Sequence, residues 1–167
     1  MKATSAQANK ILRQLQEEKE LLLRQESQAQ LFIAATTEKL EDARPDYDYT
    51  AVQMQLREME RKIRAVKHSI NTFNVSHTVE GFDLTVDQML IYLPQLQARK
   101  SKLERMAAHG PRERQDTSGR SGIIEYEYAN YDVGQVEAEL KAVSEEIMRA
   151  QLALEQANST IPFEIGL

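Results

Sequence analysis

Apolar residues recur along the chain at steps of three and four, the spacing of helices that bury one face. The pattern predicts four helices, at residues 5–43, 50–74, 85–108 and 133–158. In the second and fourth of these, the apolar positions alternate steps of four and three, which is typical of helices that pack lengthwise against a neighbour. The two seams consist of Val52, Leu56, Met59, Ile63, Val66, Ile70 and Phe73, and of Val136, Leu140, Val143, Ile147, Ala150, Leu154 and Ala157.

Each predicted helix begins at a residue that can cap it. Four such residues stand three positions before a glutamine, which is the spacing of a capping box or, for the aspartate, a close relative of it. They are Thr4, Thr50, Thr85 and Asp132. Asp48 is an alternative cap for the second helix. Pro45 ends the first helix, because proline lacks an amide donor and disfavours the helical conformation in the residue before it.

The two halves of the chain repeat each other. The two seams differ by 84 residues at every position, and Tyr47-Asp48 precedes the first seam as Tyr131-Asp132 precedes the second. The first and third helices match at an offset of 81. We therefore predict a mainly all-α protein with one domain, residues 1–167, in which an antiparallel helical hairpin (1–84) is duplicated (85–167). The two hairpins would form a long four-helix bundle or coiled coil.

The halves differ in the predicted length of their opening helices. At about 1.5 Å per residue the first helix would be nearly 60 Å long, whereas the third ends about sixteen residues earlier in the repeat. Ile124, Tyr126 and Tyr128 alternate with acidic residues within 123–129, which predicts a half-buried strand covering the gap. Short β segments are also predicted at 76–84, with a turn at Glu80-Gly81, and at 160–165, which would pair with 76–84.

The residue types exclude several kinds of chemistry. The chain has no cysteine, which excludes disulfides and thiol catalysis. Its histidines, His68, His77 and His109, lack the spacing of a helical metal site, and none follows a glutamate by three residues as in di-metal bundles. The glycines form no phosphate-binding loop. We predict no catalytic, cofactor-binding or metal-binding residues, no cofactor, and a protein that is not an enzyme.

Charge and hydropathy restrict the partners and the location. The formal net charge is −5 and the pI is near 5.3, which disfavours nucleic acid and anionic lipid as partners. The longest apolar runs are too short for a transmembrane segment, and the first ten residues lack the apolar core of a signal peptide. The expectation is a soluble, cytoplasmic protein.

Arg57, Arg61, Arg64 and His68 form a basic stripe, because steps of four and three place them on one face of the second helix. One interpretation is a track for phosphate or nucleic acid. Surface salt bridging is favoured over it, since Glu58 and Glu60 lie close by and no exposed aromatic residue interleaves the stripe. Three further arginines, Arg112, Arg114 and Arg120, are a second candidate, with a solvated loop as the alternative.

Two other groups of polar residues could bind a partner or merely serve the fold. Asn71, Asn74 and Asn158 lie where the second and fourth helices end, and helix capping is favoured over a binding site there. Lys19 and Lys100 occupy matched positions within apolar stripes. Their stems would pack while their ammonium groups reach solvent, unless a carboxylate lies close enough to pair with them.

Three segments carry a family resemblance. They are Ile70-Asn71-Thr72-Phe73-Asn74, then Gly81-Phe82-Asp83-Leu84-Thr85 before a helix, and Gln156-Ala157-Asn158 before a short apolar tail. Together they resemble the septicolysin-like family of small bacterial helical proteins over nearly the whole chain. Ser159 stands where that family usually has an aromatic residue. The resemblance implies a bacterial, mostly helical protein of undefined activity, and the family label suggests a cytolysin.

The leading functional hypothesis follows from long apolar seams without reactive groups. It is a non-enzymatic helical protein that acts through self-association, as a homo-oligomer, or by docking another protein. Binding of nucleic acid or a phosphate ligand along the basic stripe is the alternative, and a septicolysin-like toxin is a third.

Overall fold

The computed structural model describes residues 1–115 and 124–167, which form five helices and four short strands. The helices are α1 (Ser5–Ala29), α2 (Leu40–Ala43), α3 (Tyr49–Ser76), α4 (Val86–Ala107) and α5 (Val133–Thr160). The strands are β1 (Lys2–Thr4), β2 (Arg112–Arg114), β3 (Tyr126–Tyr128) and β4 (Pro162–Glu164). The prediction of a mainly helical protein with short β segments is confirmed.

Two compact units make up the chain. The first comprises residues 1–74 and 158–167, and the second comprises residues 75–157. Each unit contains one long helical hairpin. The expectations of a single domain and of a four-helix bundle remain predictions.

In the first unit α1 and α3 are antiparallel. The Lys19 ammonium lies 2.7 Å from Glu60 Oε1, and further along α1 the side chain of Gln53 donates a 2.8 Å hydrogen bond to Glu26. Residues later in α1 thus contact residues earlier in α3, as expected for antiparallel helices. Lys19 therefore pairs with a carboxylate, the alternative that the sequence left open.

The core of the first unit lies where α1 begins and α3 approaches its end. Its buried members are Ala3, Ala8, Val66, Ile70 and Ile165, and the partly buried Ile11, Leu12, Leu15 and Phe163 pack against them. The rings of Phe73 and Phe163 stack with centroids 4.7 Å apart. The seam predicted for this helix therefore faces the core, and Leu56 is buried as well.

Strand β4 confirms the β segment predicted at 160–165 but has a different partner. It pairs antiparallel with β1, in the register Lys2 to Glu164, rather than with residues 76–84. The alternation of the two strands explains this choice, because pairing them directs Ala3 and Ile165 into the core, where both are nearly inaccessible to solvent. The N-terminal strand was not predicted.

Helix α1 is much shorter than the sequence predicted, since it ends at Ala29 rather than near residue 43. Helix α1 ends early because its packing partner, α3, begins only at Tyr49. Glu26 meets Gln53, so residues after 29 run past Tyr49, where α3 begins, and have no helix to pack against. With 25 residues in α1 and 22 in α4, most of the predicted difference in length is absent.

The second unit is built from α4 and α5, which are also antiparallel. Tyr92 donates a 2.5 Å hydrogen bond to Glu146, and further along α4 the Arg99 guanidinium lies 3.1 Å from Glu139. The buried core between the helices consists of Leu96, Leu103, Val136, Val143 and Ile147. Leu140 is half-buried and packs against this core, so the seam predicted for the fourth helix also faces inward.

Strand β3 confirms the segment predicted at 123–129, but the expectation that it covers a gap is wrong. It pairs with β2, which was not predicted, in the register Arg112 to Tyr128 and Arg114 to Tyr126. Ile124, Tyr126 and Tyr128 all remain exposed. Because α1 has 25 residues and α4 has 22, rather than the large difference predicted, no wide gap requires these side chains. The strand instead forms its backbone hydrogen bonds in a two-stranded ribbon.

The two units carry the same local features at the offsets seen in the sequence. Thr4 and Thr85 both form complete capping boxes, with Gln7 and Gln88 respectively. Thr85 also forms a bridge with Thr78, as Thr4 pairs with Pro162. The β segment predicted at 76–84 is thus a single bridge, closed by a turn in which Gly81 has a φ of 78°.

Candidate functional site

The predicted basic stripe lies exposed on one face of α3, but carboxylates neutralise its centre. Glu58 binds Arg61 through two hydrogen bonds, of 2.8 Å to Nε and 2.7 Å to the terminal nitrogen. These bonds lower the pKa of Glu58 and raise the pKa of Arg61. Lys62 also approaches Glu58, at 3.9 Å. The guanidinium at the middle of the stripe is therefore already engaged.

The next carboxylate along α3, Glu60, faces the partner helix. Its hydrogen bond from Lys19 is the main reason why its pKa is lowered, and the charge of Arg64 lowers it further. Within the described residues Arg57 and His68 form no ion pair, so two exposed groups of the stripe remain open to an anion. This arrangement matches the surface salt bridging that the sequence favoured.

The predicted asparagine group does not cap the helices. Helix α3 continues to Ser76 and α5 to Thr160, so Asn74 and Asn158 lie inside the last turns. In the described part of the chain, no residue other than glycine adopts the positive φ on which this kind of capping depends. Asn71 is exposed, whereas Asn74 is half-buried and its Oδ1 has no hydrogen-bond partner among the described residues.

An exposed apolar loop follows α1, and sequence reasoning missed it because the predicted helix ran through it. The loop comprises residues 30–39, and its most exposed large apolar side chains are Leu31 at 81% and Ile33 at 98%. Phe32 is partly shielded by Arg44, whose guanidinium lies 5.8 Å from the ring centroid. The short apolar run at 31–35 was the available signal. Carboxylates of Glu38, Glu41 and Asp42 follow it in sequence.

One cavity lies between α1 and the start of α3 in the first unit. It has a volume of about 390 Å³ and is lined by Leu22, Glu26, Tyr47, Asp48 and Val52 among others. Glu26 accepts hydrogen bonds from Tyr47 and Gln53, each of 2.8 Å. Burial, and then this bond, raise the pKa of Tyr47. The carboxylate is held by two donors and braces the hairpin.

A second cavity lies beside the β ribbon in the second unit. It has a volume of about 310 Å³, and its lining includes His109, Glu113, Glu127 and Tyr131. Glu113 accepts a hydrogen bond from the Gly110 amide at 3.0 Å, and the Tyr131 hydroxyl donates to the Met106 carbonyl. No cluster of three histidine or acidic residues within 1–115 and 124–167 could hold a metal ion.

The β ribbon has basic and aromatic side chains on one face and acidic side chains on the other. Directly paired residues share a face, so Arg112 and Arg114 lie on the same face as Tyr128 and Tyr126. Glu113 and Glu127 pair on the opposite face. The sequence singled out the arginines as loop residues but did not place them on a strand. Arg120 lies outside the described residues.

A similar fold occurs in a solved structure whose function is unknown. No family model matches the chain, and no curated protein matches it. A crystal structure from Corynebacterium diphtheriae, described as a functionally unknown conserved protein, aligns with a TM-score of 0.56 over 98% of this chain and 100% of that chain. The identity is 16%, so the likeness concerns the fold alone. The septicolysin-like resemblance remains a prediction.

In the described part of the chain, no helix combines the length and apolar character needed to cross a bilayer.

Proposed function

We propose that the protein is not an enzyme and acts through self-association, with the apolar loop at 30–39 as the contact surface. The observation that carries the proposal is the exposure of neighbouring apolar side chains, Ile33 at 98% and Leu31 at 81%. Single exposed apolar residues are ordinary on protein surfaces, whereas a contiguous group marks a surface that another molecule covers.

The surroundings of the loop fit a protein interface. Leu40, at the start of α2, is also exposed, and the acidic, exposed Glu38, Glu41 and Asp42 flank it in sequence. An apolar centre with a polar border is the usual anatomy of such contacts. Docking of a different protein would use the same residues, and a homo-oligomer is the simpler form of the proposal.

The four-helix arrangement predicted from the sequence belongs to this proposal. Two antiparallel amphipathic helices leave apolar surface along their outer sides, and packing on another hairpin would bury it. We also propose a cytoplasmic location.

The test is the mass in solution, by size-exclusion chromatography with light scattering over a range of concentrations. The wild-type chain is expected to exceed its monomer mass of 19.1 kDa, and a Leu31→Glu, Ile33→Glu variant to fall to it. The matched control, Thr36→Glu with Thr37→Glu, adds the same charge at exposed positions of the same loop and should assemble normally. A wild-type chain that stays at 19.1 kDa throughout would refute self-association.

Binding of phosphate or nucleic acid along α3 is the second candidate, supported by the exposure of Arg57 and His68. Salt-dependent binding that is lost in an Arg57→Glu, Arg61→Glu variant would favour it. The toxin hypothesis rests on the septicolysin-like resemblance alone, and release of dye from liposomes tests it.

A further inference from the structure

The β ribbon presents an aromatic and basic surface that the proposed self-association does not use. This surface, here called the ribbon face, consists of Arg112, Arg114, Tyr126 and Tyr128. All four side chains are exposed, with Tyr128 at 64% and Tyr126 at 39%. We propose that the ribbon face binds single-stranded nucleic acid.

Segregation of charge makes this face cationic within an acidic protein. The register places two guanidinium groups on the ribbon face and the carboxylates of Glu113 and Glu127 on the other side. Among the described residues, neither Arg112 nor Arg114 forms an ion pair. By contrast, Arg61 on α3 is bound by Glu58. The chain-wide charge of −5 therefore does not describe the potential at this face.

The ribbon face also has exposed aromatic rings beside its cations, which the basic stripe on α3 lacks. The Tyr126 and Tyr128 rings lie 6.3 Å apart, tilted by 52°, and each is accessible to solvent. Exposed rings interleaved with cations are the combination with which proteins hold single strands, since bases stack on the rings while cations contact phosphates. A duplex hides its base faces, so the rings favour a single strand.

The cationic and aromatic groups are already oriented toward each other. The Arg112 guanidinium lies 4.6 Å from the centroid of the Tyr126 ring, a cation–π contact. This contact leaves Tyr128 as the more open ring for a base. Arg112 and Arg114, two positions apart on β2, point to the same side as the rings.

Fluorescence anisotropy with a labelled oligothymidylate of about 20 nucleotides tests the proposal, between about 50 and 200 mM salt. Wild-type protein is expected to bind at low salt and to lose affinity as salt rises. In Tyr128→Leu the dissociation constant should rise by about 5- to 150-fold, the loss of one stacked base, with the salt slope unchanged. In Arg112→Gln with Arg114→Gln the slope should fall by about 1.4, the loss of two phosphate contacts.

The opposite face provides the matched control. Glu113→Gln with Glu127→Gln changes the same two strands and keeps the hydrogen-bond acceptors, so binding should be unchanged or tighter. Circular dichroism of each variant confirms that the helices are retained. Absence of binding at low salt, or equal binding by the control and the Tyr128→Leu and arginine variants, would overturn the proposal.

A labelled oligoglutamate of similar length separates base recognition from simple attraction between charges. Binding of this peptide with the affinity of the oligothymidylate would overturn the proposal and point to an acidic protein segment instead. The result is independent of the solution mass measured for the loop at 30–39, so the two proposals can fail separately.

Discussion

Tyr92 on α4 donates a hydrogen bond of 2.5 Å to Glu146 on α5. This bond, more than the partial burial of the ring, raises the pKa of Tyr92 above 10.0. The neutral phenol is therefore favoured in the folded chain. Its contribution to stability is present below pH 10 and is lost as the pH rises through the folded-state pKa.

Replacing Tyr92 by phenylalanine should lower the free energy of unfolding by about 1 kcal/mol at neutral pH, the usual net value of one hydrogen bond. The difference in the free energy of unfolding from wild type should shrink as the pH rises through the raised pKa of Tyr92. Urea denaturation at several pH values measures it. Tyr128→Phe, which alters an exposed ring, is the control, and an equal effect in both variants would contradict the prediction.

Asp48, rather than Thr50, caps α3, because Asp48 Oδ1 accepts a 3.0 Å hydrogen bond from the Ala51 amide. Asp48→Ala is expected to cost about 1 kcal/mol of stability, whereas Thr50→Ala should be nearly neutral. Thermal or chemical denaturation of the two single variants decides the matter. The reverse order of the two effects would show that the helix begins elsewhere.

The Lys19–Glu60 ion pair makes the stability of the fold depend on pH in the acidic range. Because the pKa of Glu60 is lowered in the folded chain, its contribution is complete above the unfolded value of 4.5 and disappears as the pH falls through the folded-state value. Glu60→Gln should therefore lower the Tm near neutral pH, and this difference from wild type should diminish as the pH falls below 4.5. Glu137→Gln, at an exposed position of α5, is the control. A Tm difference that persists in acid would exclude the ion pair as its cause.

Ile165 is nearly inaccessible to solvent, although it follows the last strand of the chain. Ile165→Ala should destabilise the first unit by about 2 to 4 kcal/mol, because it leaves a cavity against Val66 and Ile70. Leu167→Ala, two residues further on at an exposed site, should have almost no effect. Hydrogen exchange of amides in β1 would localise the loss.

The sequence predicted those features that depend on local patterns. Thr4, Thr85 and Asp132 cap helices as their spacing indicated, since a cap is formed by residues three positions apart. Leu56 and Val143 are buried because the periodic seam marks the inner face of each helix. The short strand at Tyr126–Tyr128 was likewise visible in its alternation.

Features that depend on distant partners could not be predicted in the same way. The end of α1 at Ala29 is set by the position of Tyr49 across the hairpin, which no local pattern reports. Strand β2, Arg112–Arg114, is formed by polar residues and exists through its pairing with β3. The ribbon face and the apolar loop at 30–39 were consequently invisible as surfaces.

The pairing of β1 with β4 brings Lys2 next to Glu164. A short peptide link from Leu167 to Met1 would join the chain beside this pair and keep Ile165 in the core, and new ends could be opened within residues 30–39 without cutting α1 or α3. Such a circular permutant should fold, since every helix and its neighbour would be retained. Because Lys2 and Glu164 are paired, two fluorescent labels attached at residues 2 and 164 would come close together when the first unit folds, and energy transfer between them would follow its folding.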